Sequence, residues 1–207
     1  MKQFDEAFRT QLYETIEKIE NDSLVEVVAI IKAGSAPYKD ISLWAAFLTM
    51  SVLYTFFMFA PIDFSVYLMY FFTILSFPTS FFLFEIMPGL KRKFVPKQMQ
   101  DRQVDIYSRA VFQKGGVRHT EEKIGVLFYV SLFEKQVRIV ADRGAEMSVP
   151  QEDWLSMQVD FDKMFSSENK AVAFLESLDH TREVFAQYIP PVENDINELP
   201  DNLEVDF

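Results

Sequence analysis

One stretch of the sequence, residues 41–87, contains only two charged side chains, Asp63 and Glu85, and is rich in phenylalanine and leucine. The motif Ala60-Pro61-Ile62-Asp63 divides it into two apolar halves, residues 41–60 and 64–87. About 20 apolar residues in helical form cross the hydrocarbon core of a bilayer. We therefore predict a hairpin of two transmembrane helices, with the lipid bilayer as a partner. Two buried helices of a soluble core are the alternative, but a domain of this size could not cover both.

Basic residues flank the apolar stretch on both sides, while the turn between its halves contains none. They are Lys39 before the hairpin and Lys91, Arg92, Lys93 and Lys97 after it. Cytoplasmic loops carry an excess of lysine and arginine, so we expect both ends of the chain and its soluble part in the cytoplasm. We also expect Trp44 and the run Lys91-Arg92-Lys93 at the membrane interface, because an indole favours the headgroup level.

The rest of the chain is acidic, with a net charge of -11 over 207 residues. Nucleic-acid binding requires clustered lysine and arginine, so we expect no nucleic-acid partner. The chain has no cysteine, which excludes a disulfide scaffold, a thiol nucleophile and thiolate metal ligands.

Helix and strand patterns alternate outside the apolar stretch. Apolar residues at three- and four-residue spacing predict helices over residues 4–19, 100–114 and 167–188, and another carrying Trp154 and Met164. A β-branched run predicts a buried central strand at 24–31, and residues 125–131 and 136–141 predict an antiparallel β-hairpin. Ser148 and Gln151 have the spacing of a capping box. These elements indicate an α/β layered domain with a small sheet.

The apolar hairpin therefore interrupts a globular domain. Residues 1–36 supply its first helix and strand, residues 98–191 supply the remainder, and residues 192–207 form an acidic tail that we expect to be extended.

Three carboxylates after the second hairpin strand offer the best candidate for chemistry. Asp142 ends a predicted strand, and Glu152 and Asp153 lie in the first turn of the next helix. Together they would hold Ca²⁺ or Mg²⁺ through oxygen ligands. The simpler interpretation is turn chemistry at Asp142 and helix-dipole complementarity at the two others. His119 and His180 stand alone in the sequence, so we assign neither a catalytic role and predict no catalytic residues.

Small polar residues in the apolar halves are candidates for helix–helix packing. They would contact either a partner membrane protein or one another within the hairpin, and they are Thr49, Ser51, Tyr54, Thr73 and Ser76.

Several short motifs of this sequence, in their order, resemble the TPM-domain family, specifically its bacterial branch with a membrane hairpin. They are Thr120, Gly125-Val126-Leu127, Val130-Ser131-Leu132, Glu134, Val137, Ala141-Asp142-Arg143-Gly144, Val149-Pro150, Trp154, Ile189-Pro190 and Asn197-Glu198-Leu199-Pro200-Asp201. The turn at residues 118–123 departs from the more arginine-rich turn usual in that branch, which weakens any anion-binding role there.

The resemblance implies an αβα-layered domain with a small sheet, interrupted by a two-helix transmembrane hairpin in the bacterial plasma membrane. The TPM-domain family includes proteins thought to assist assembly of membrane complexes and a plant branch proposed to be a phosphatase. We therefore expect a membrane-anchored accessory or interaction protein without defined catalytic activity. A divalent-metal-assisted phosphatase and a Ca²⁺-binding regulatory domain are the alternatives.

Overall fold

The computed structural model describes residues 4–114 and 123–191, and the backbone of residues 205–206. The helices are α1 (Glu6–Asp22), α2 (Lys39–Phe59), α3 (Val66–Ile86), α4 (Pro88–Phe94), α5 (Lys97–Lys114), α6 (Arg143–Ser148), α7 (Gln151–Lys163) and α8 (Lys170–Tyr188). The strands are β1 (Glu26–Lys32), β2 (Gly125–Ser131), β3 (Gln136–Ala141) and β4 (Val205–Asp206). The chain forms two compact units, one from Met1–Ser35 with Arg102–Phe207 and the other from Ala36–Asp101.

The sheet of the first unit has the strand order β3-β2-β1-β4. β2 and β3 pair antiparallel as a hairpin, within the bounds predicted from the sequence. β1 lies between β2 and β4 and runs parallel to both. Six of its seven residues are buried, because a strand flanked on both sides and covered on both faces is shielded from solvent along its length. Its five middle residues are apolar, and the buried charged residues Glu26 and Lys32 lie at its two ends.

Helices cover both faces of this sheet. One face packs against α1, α7 and α8, with the large fully buried side chains Leu12, Phe128, Phe161 and Phe174 at its centre. The other face packs against α5 through Ile30, Val104, Phe112, Leu127 and Tyr129. The unit is therefore the expected αβα-layered α/β domain.

Two local predictions about helix starts were wrong. Ser148 does not cap α7: it is the last residue of the short helix α6, and its hydroxyl donates to the Gly144 carbonyl at 2.8 Å. α7 begins instead after Pro150, which makes no side-chain cap. α8 begins after Asn169, whose Oδ1 accepts from the amides of Ala171 and Val172, rather than at Ser167. In both cases a residue nearer the first helical turn has the extended backbone that a helix start requires.

The second unit contains α2, α3 and α4, and α2 packs against α3. The two long helices have 21 residues each, close to the two apolar halves of the sequence. α4 follows directly, with Pro88 at its first position, where the missing amide hydrogen costs nothing. The sequence patterns did not indicate α4, because its seven residues are too few to show a period.

Phe161 tests the packing of the domain. Its side chain is fully buried, with ring centroids 5.1 Å from Phe128 and 5.5 Å from Phe174. We expect Phe161→Ala to lower the free energy of unfolding by about 3–5 kcal/mol, because it removes apolar burial and leaves a cavity. Urea unfolding followed by Trp154 fluorescence measures this. The control is Val159→Ala, at a position on the same helix that is 53% exposed, and equal losses for the two variants would contradict this assignment of the core.

Candidate functional site

The outer surface of the α2–α3 hairpin is apolar. In the most apolar stretch of each helix, only 11% of α2 and 6% of α3 is buried by the rest of the protein. Trp44 is 70% exposed, Phe59 is 84% exposed and Tyr67 is 87% exposed. Both helices are long and apolar enough to cross a membrane. A soluble monomer rarely exposes so large a contiguous apolar surface.

Two side-chain hydrogen bonds join the two helices of the hairpin. The Ser42 hydroxyl donates to Glu85 Oε1 at 2.6 Å, and the hydroxyls of Thr49 and Ser80 lie 3.1 Å apart. Thr49 thus makes the intrahairpin contact that was one of its two predicted roles. Ser51 and Ser76 donate to carbonyls of their own helices, those of Phe47 and Thr73.

The base of the hairpin is closed by a buried lysine. Lys91 is 5% exposed, and its Nζ donates to Glu85 Oε1 at 2.7 Å and to the Pro37 carbonyl at 2.6 Å. Its ammonium group thus joins the two ends of the hairpin, and the place of Lys91 at the membrane interface stays a prediction. Arg92 is half-buried and Lys93 is exposed, so Lys93 and Trp44 keep the exposure that an interfacial role requires.

The three carboxylates predicted to bind a metal serve other contacts. Asp142 caps α6, where its Oδ1 accepts from the Arg143 amide at 2.7 Å, and Asp153 is hydrogen-bonded to the Tyr188 phenol, whose pKa this bond holds above its usual value. Glu152 is exposed on α7. Within residues 4–114 and 123–191, no three acidic or histidine side chains converge on a metal position. The structure thus does not bring these residues together.

The remaining candidates from the sequence fall in two groups. His180 is exposed on α8. His119, Thr120, the turn of residues 118–122, the helix end at Gly115-Gly116 and the tail motif of residues 197–201 lie outside the described residues.

A buried hydrogen-bond network at the ends of β1 and β2 was not predicted. The Ser35 hydroxyl lies 3.0 Å from the Tyr129 hydroxyl and donates to Ser131 Oγ at 3.1 Å. The Ser131 hydroxyl donates to Glu134 Oε2, and the Ser35 amide donates to Glu134 Oε1 at 3.0 Å. All four residues are at most 7% exposed.

This network fixes the point at which the chain leaves the domain for the hairpin. Glu134, in the turn between β2 and β3, holds the Ser35 amide, and the amide of Phe133 donates to the Ala33 carbonyl at 2.9 Å. A Cβ atom added to Gly34 would stand 3.1 Å from Cβ of Phe133, so the two loops are packed closely. No sequence signal indicated the network, because Ser35 and its partners lie more than 90 positions apart.

The network is built for structure rather than for nucleophilic catalysis. Ser131 is completely buried and Ser35 is 7% exposed, so no substrate carbonyl or phosphoryl group reaches either hydroxyl. Burial raises the pKa of Tyr129 to about 12, and the bond from Ser35 only partly offsets it. Tyr129 therefore stays protonated and keeps its hydrogen bond throughout the physiological range.

Comparison with known proteins identifies the domain. Residues 94–184 match the family model described as the TPM domain. The chain carries a TPM domain. Among solved structures it resembles the BA42 protein from the psychrophilic bacterium Bizionia argentinensis, at 15% identity and a TM-score of 0.60, over 98% of this chain and 94% of that one. At this identity the likeness concerns the fold alone. No curated protein matches the chain.

The compact unit that holds most of the matched segment extends beyond it. α1 and β1 precede residue 94, yet both lie in the same compact unit as β2, β3, α7 and α8. In the sequence, the α2–α3 hairpin thus interrupts this unit, between β1 and β2.

Tyr129 gives the TPM domain a measurable pH dependence. In the unfolded chain a tyrosine loses its proton near pH 10, whereas folded Tyr129 keeps it until about pH 12. The unfolded state then binds fewer protons, so this residue's contribution to stability is complete below pH 10 and is lost between pH 10 and 12, by up to about 1.4 kcal/mol per pH unit. Denaturant titrations at several pH values measure the slope. Tyr129→Phe should have a shallower slope in that window, and equal slopes would contradict the buried network.

Proposed function

We propose that this protein is a non-enzymatic accessory protein of the bacterial plasma membrane. The α2–α3 hairpin crosses the bilayer, and the TPM domain lies in the cytoplasm, where it binds and stabilises another membrane protein or its subunit. The observation that carries the proposal is the exposed apolar surface of two 21-residue helices that two side-chain hydrogen bonds join to each other.

The dimensions of the hairpin support a membrane span. At about 1.5 Å per residue, 21 helical residues measure about 31 Å, close to the roughly 30 Å hydrocarbon core of a bilayer. Leu48 and Leu68 are more than half exposed. A soluble helix pair would bury such leucines, whereas in a bilayer their exposure to lipid is favourable. The polar side chains of Ser42, Thr49 and Ser80 are satisfied inside the hairpin, as hydrocarbon requires.

The sheet supports a hairpin that returns to the side from which it started. β1 ends at Lys32, before the hairpin, and β2 begins at Gly125, after it, yet the two strands pair along seven residues. Both flanks of the hairpin therefore belong on one side of the bilayer, which requires an even number of crossings. The exposed Lys93 and the flanking Lys39 and Lys97 favour the cytoplasm for that side.

The domain favours binding rather than catalysis. Its hydroxyls at Ser35 and Ser131 are buried in a structural network. Of the predicted acidic residues, Asp142 caps α6 and Asp153 bonds to Tyr188. The domain is joined to the hairpin through two connections, which would keep its surfaces near a neighbouring membrane protein.

Leu48 tests the membrane span. It lies near the middle of α2 and is 64% exposed. A leucine-to-arginine change at the centre of a membrane helix costs about 3 kcal/mol or more on insertion scales. We therefore expect Leu48→Arg to shift the protein from the carbonate-resistant membrane pellet towards the soluble or degraded fraction. Val159→Arg, at a site 53% exposed on the TPM domain, is the control and should remain in the pellet. Unchanged insertion of Leu48→Arg would contradict the span.

Partner capture tests the accessory role. Crosslinking in native membranes should recover the same membrane protein repeatedly, and exchange of residues 36–101 for an unrelated transmembrane hairpin should reduce that recovery. Recovery of the protein alone, together with normal growth of cells carrying the exchanged hairpin, would contradict this role.

A metal-assisted phosphatase is the second candidate, and one observation favours it. Asp142 Oδ2 is buried and has no hydrogen-bond partner among the described residues, so it has an oxygen to offer a cation. Purified protein assayed with p-nitrophenyl phosphate and Mg²⁺ or Ca²⁺ tests this activity. Hydrolysis that disappears in Asp142→Asn supports it, whereas absent hydrolysis, or hydrolysis that survives the change, removes Asp142 as the site.

The third function, cation-dependent regulation, needs binding without turnover. Calorimetry with Ca²⁺ distinguishes it: heat of binding that is lost in Asp142→Asn, without phosphate release, supports regulation, and no heat excludes it.

A further inference from the structure

A cleft of about 630 Å³ lies along the outer edge of β3. Its floor is the strand itself, from Arg138 to Ala141, with α5 on one side and α7 on the other. β3 is the last strand on its side of the sheet. An uncovered edge strand is a template on which another chain can add a strand.

The strand register shows which peptide groups face this cleft. The Asp142 amide donates to the Gly125 carbonyl at 2.8 Å, so these two residues form a hydrogen-bonded pair. Because hydrogen-bonded and non-hydrogen-bonded pairs alternate in an antiparallel ladder, Val140 and Arg138 bond to β2 as well. The peptide groups of Val137, Ile139 and Ala141 therefore point away from β2, and Ile139 and Ala141 line the cleft.

One of these outward groups already has a partner. The side-chain amide of Gln158, on α7, donates to the Val137 carbonyl at 2.9 Å. For Ile139 and Ala141 no such bond is found among the described residues, and both residues are only partly buried. An added strand would therefore pair at Ile139 and Ala141, with Gln158 marking the end of the open edge.

Two unused donors in the cleft indicate what such a strand carries. Arg138 Nε and Trp154 Nε1 are buried and lack a hydrogen-bond partner among the described residues, and both side chains line the cleft. Arg138 shares a sheet face with Val140, which packs towards α5, whereas Trp154 packs on the opposite face. The donors thus stand on either side of a chain lying along β3.

Arg138 favours an acidic residue beside it. The cleft is also lined by Asp105, Arg109 and Glu146. Arg109 Nε is held by both carboxylate oxygens of Asp105 at 3.1 Å, whereas Arg138 Nε is buried and has no partner among the described residues. Leu155, 59% exposed, and Ile139 supply apolar surface on the other side.

We propose that the TPM domain binds an extended peptide segment of a partner protein as an added strand on β3. The segment pairs with Ile139 and Ala141 and places a glutamate or aspartate against Arg138, with an apolar side chain against Leu155 and Trp154. This rests on the proposed function, binding of another protein, and names the surface and the chemistry of the bound segment.

The test uses full-length protein in detergent micelles and a pool of eight-residue peptides. The peptides alternate valine and threonine and carry one glutamate at varied positions. Fluorescence anisotropy measures binding, and hydrogen exchange with mass spectrometry measures protection of β3. We expect binding with slower exchange at Ile139 and Ala141, because their amides gain strand partners.

Two changes with matched controls distinguish strand addition from nonspecific peptide binding. N-methylation of alternate peptide amides should abolish binding, since it removes backbone donors from the added strand. Arg138→Gln should weaken binding of glutamate peptides about tenfold or more, the range for a charge-assisted hydrogen bond, while Arg102→Gln, on α5 outside the cleft, should not. Replacing the peptide glutamate by glutamine should matter only when Arg138 is present.

Several outcomes overturn the proposal: no binding by any member of the pool, binding without protection of β3, or equal binding of N-methylated peptides. Recovery of a crosslinked partner that is unaffected by Arg138→Gln would leave the accessory role in place and reject this cleft as its surface. Loss of the partner on hairpin exchange, combined with full recovery in Arg138→Gln, would locate binding in the membrane rather than at β3.

Discussion

The parallel pairing of β1 with β2 is the contact on which the rest of the architecture depends. These strands are neighbours along seven residue pairs, although the whole α2–α3 hairpin and α5 separate them in the chain. Their pairing buries Val27, Ile31, Val126 and Val130 against one helical layer. Because paired strands cannot lie on opposite sides of a bilayer, a hairpin that crosses a bilayer, as we propose, must start and finish on the same side.

Two sets of polar contacts secure the insertion at its ends. On the domain side, Glu134 and Ser131 bind Ser35, the last residue of the domain before the hairpin. Within the hairpin unit, Lys91 bonds to Glu85 and to the Pro37 carbonyl, which joins the residues that lead into α2 to those that follow α3. The set around Ser35 is buried, and in the hairpin set Lys91 is buried while Glu85 is half-buried. Removing a partner of a buried member leaves a desolvated polar group, which costs more than an exposed ion pair contributes.

The sequence predicted those helices and strands that are long enough to show a hydrophobic pattern within one stretch of the chain. The two halves around Asp63 are long apolar runs, the helix bearing Phe161 shows a helical period, and the strands 125–131 and 136–141 are short runs joined by a tight connection. The structure confirms these helices and strands. The short helices α4 and α6 were not predicted, because six or seven residues are too few to show a helical period. The predicted cap at Ser148 was wrong, because α6 begins after Asp142 and α7 begins after Pro150. The network of Ser35, Tyr129, Ser131 and Glu134 was not predicted from the sequence, because these residues come into contact only when β1 pairs with β2. The sequence likewise does not show that Lys91 lies between Glu85 and the Pro37 carbonyl, because these residues come together only in the folded hairpin.

The central claim is that the hairpin crosses a bilayer and returns, with the TPM domain on the cytoplasmic side. The chain has no cysteine, so single cysteines can report topology directly. Asp63→Cys lies in the turn between α2 and α3, and Met147→Cys lies on the domain at a site that is 74% exposed. With a membrane-impermeant maleimide added to bacterial cells whose outer membrane has been permeabilised, the account predicts labelling at residue 63 and, until the inner membrane is opened, none at residue 147. Labelling of both sites or of neither before the inner membrane is opened, or the reverse pattern, would contradict it.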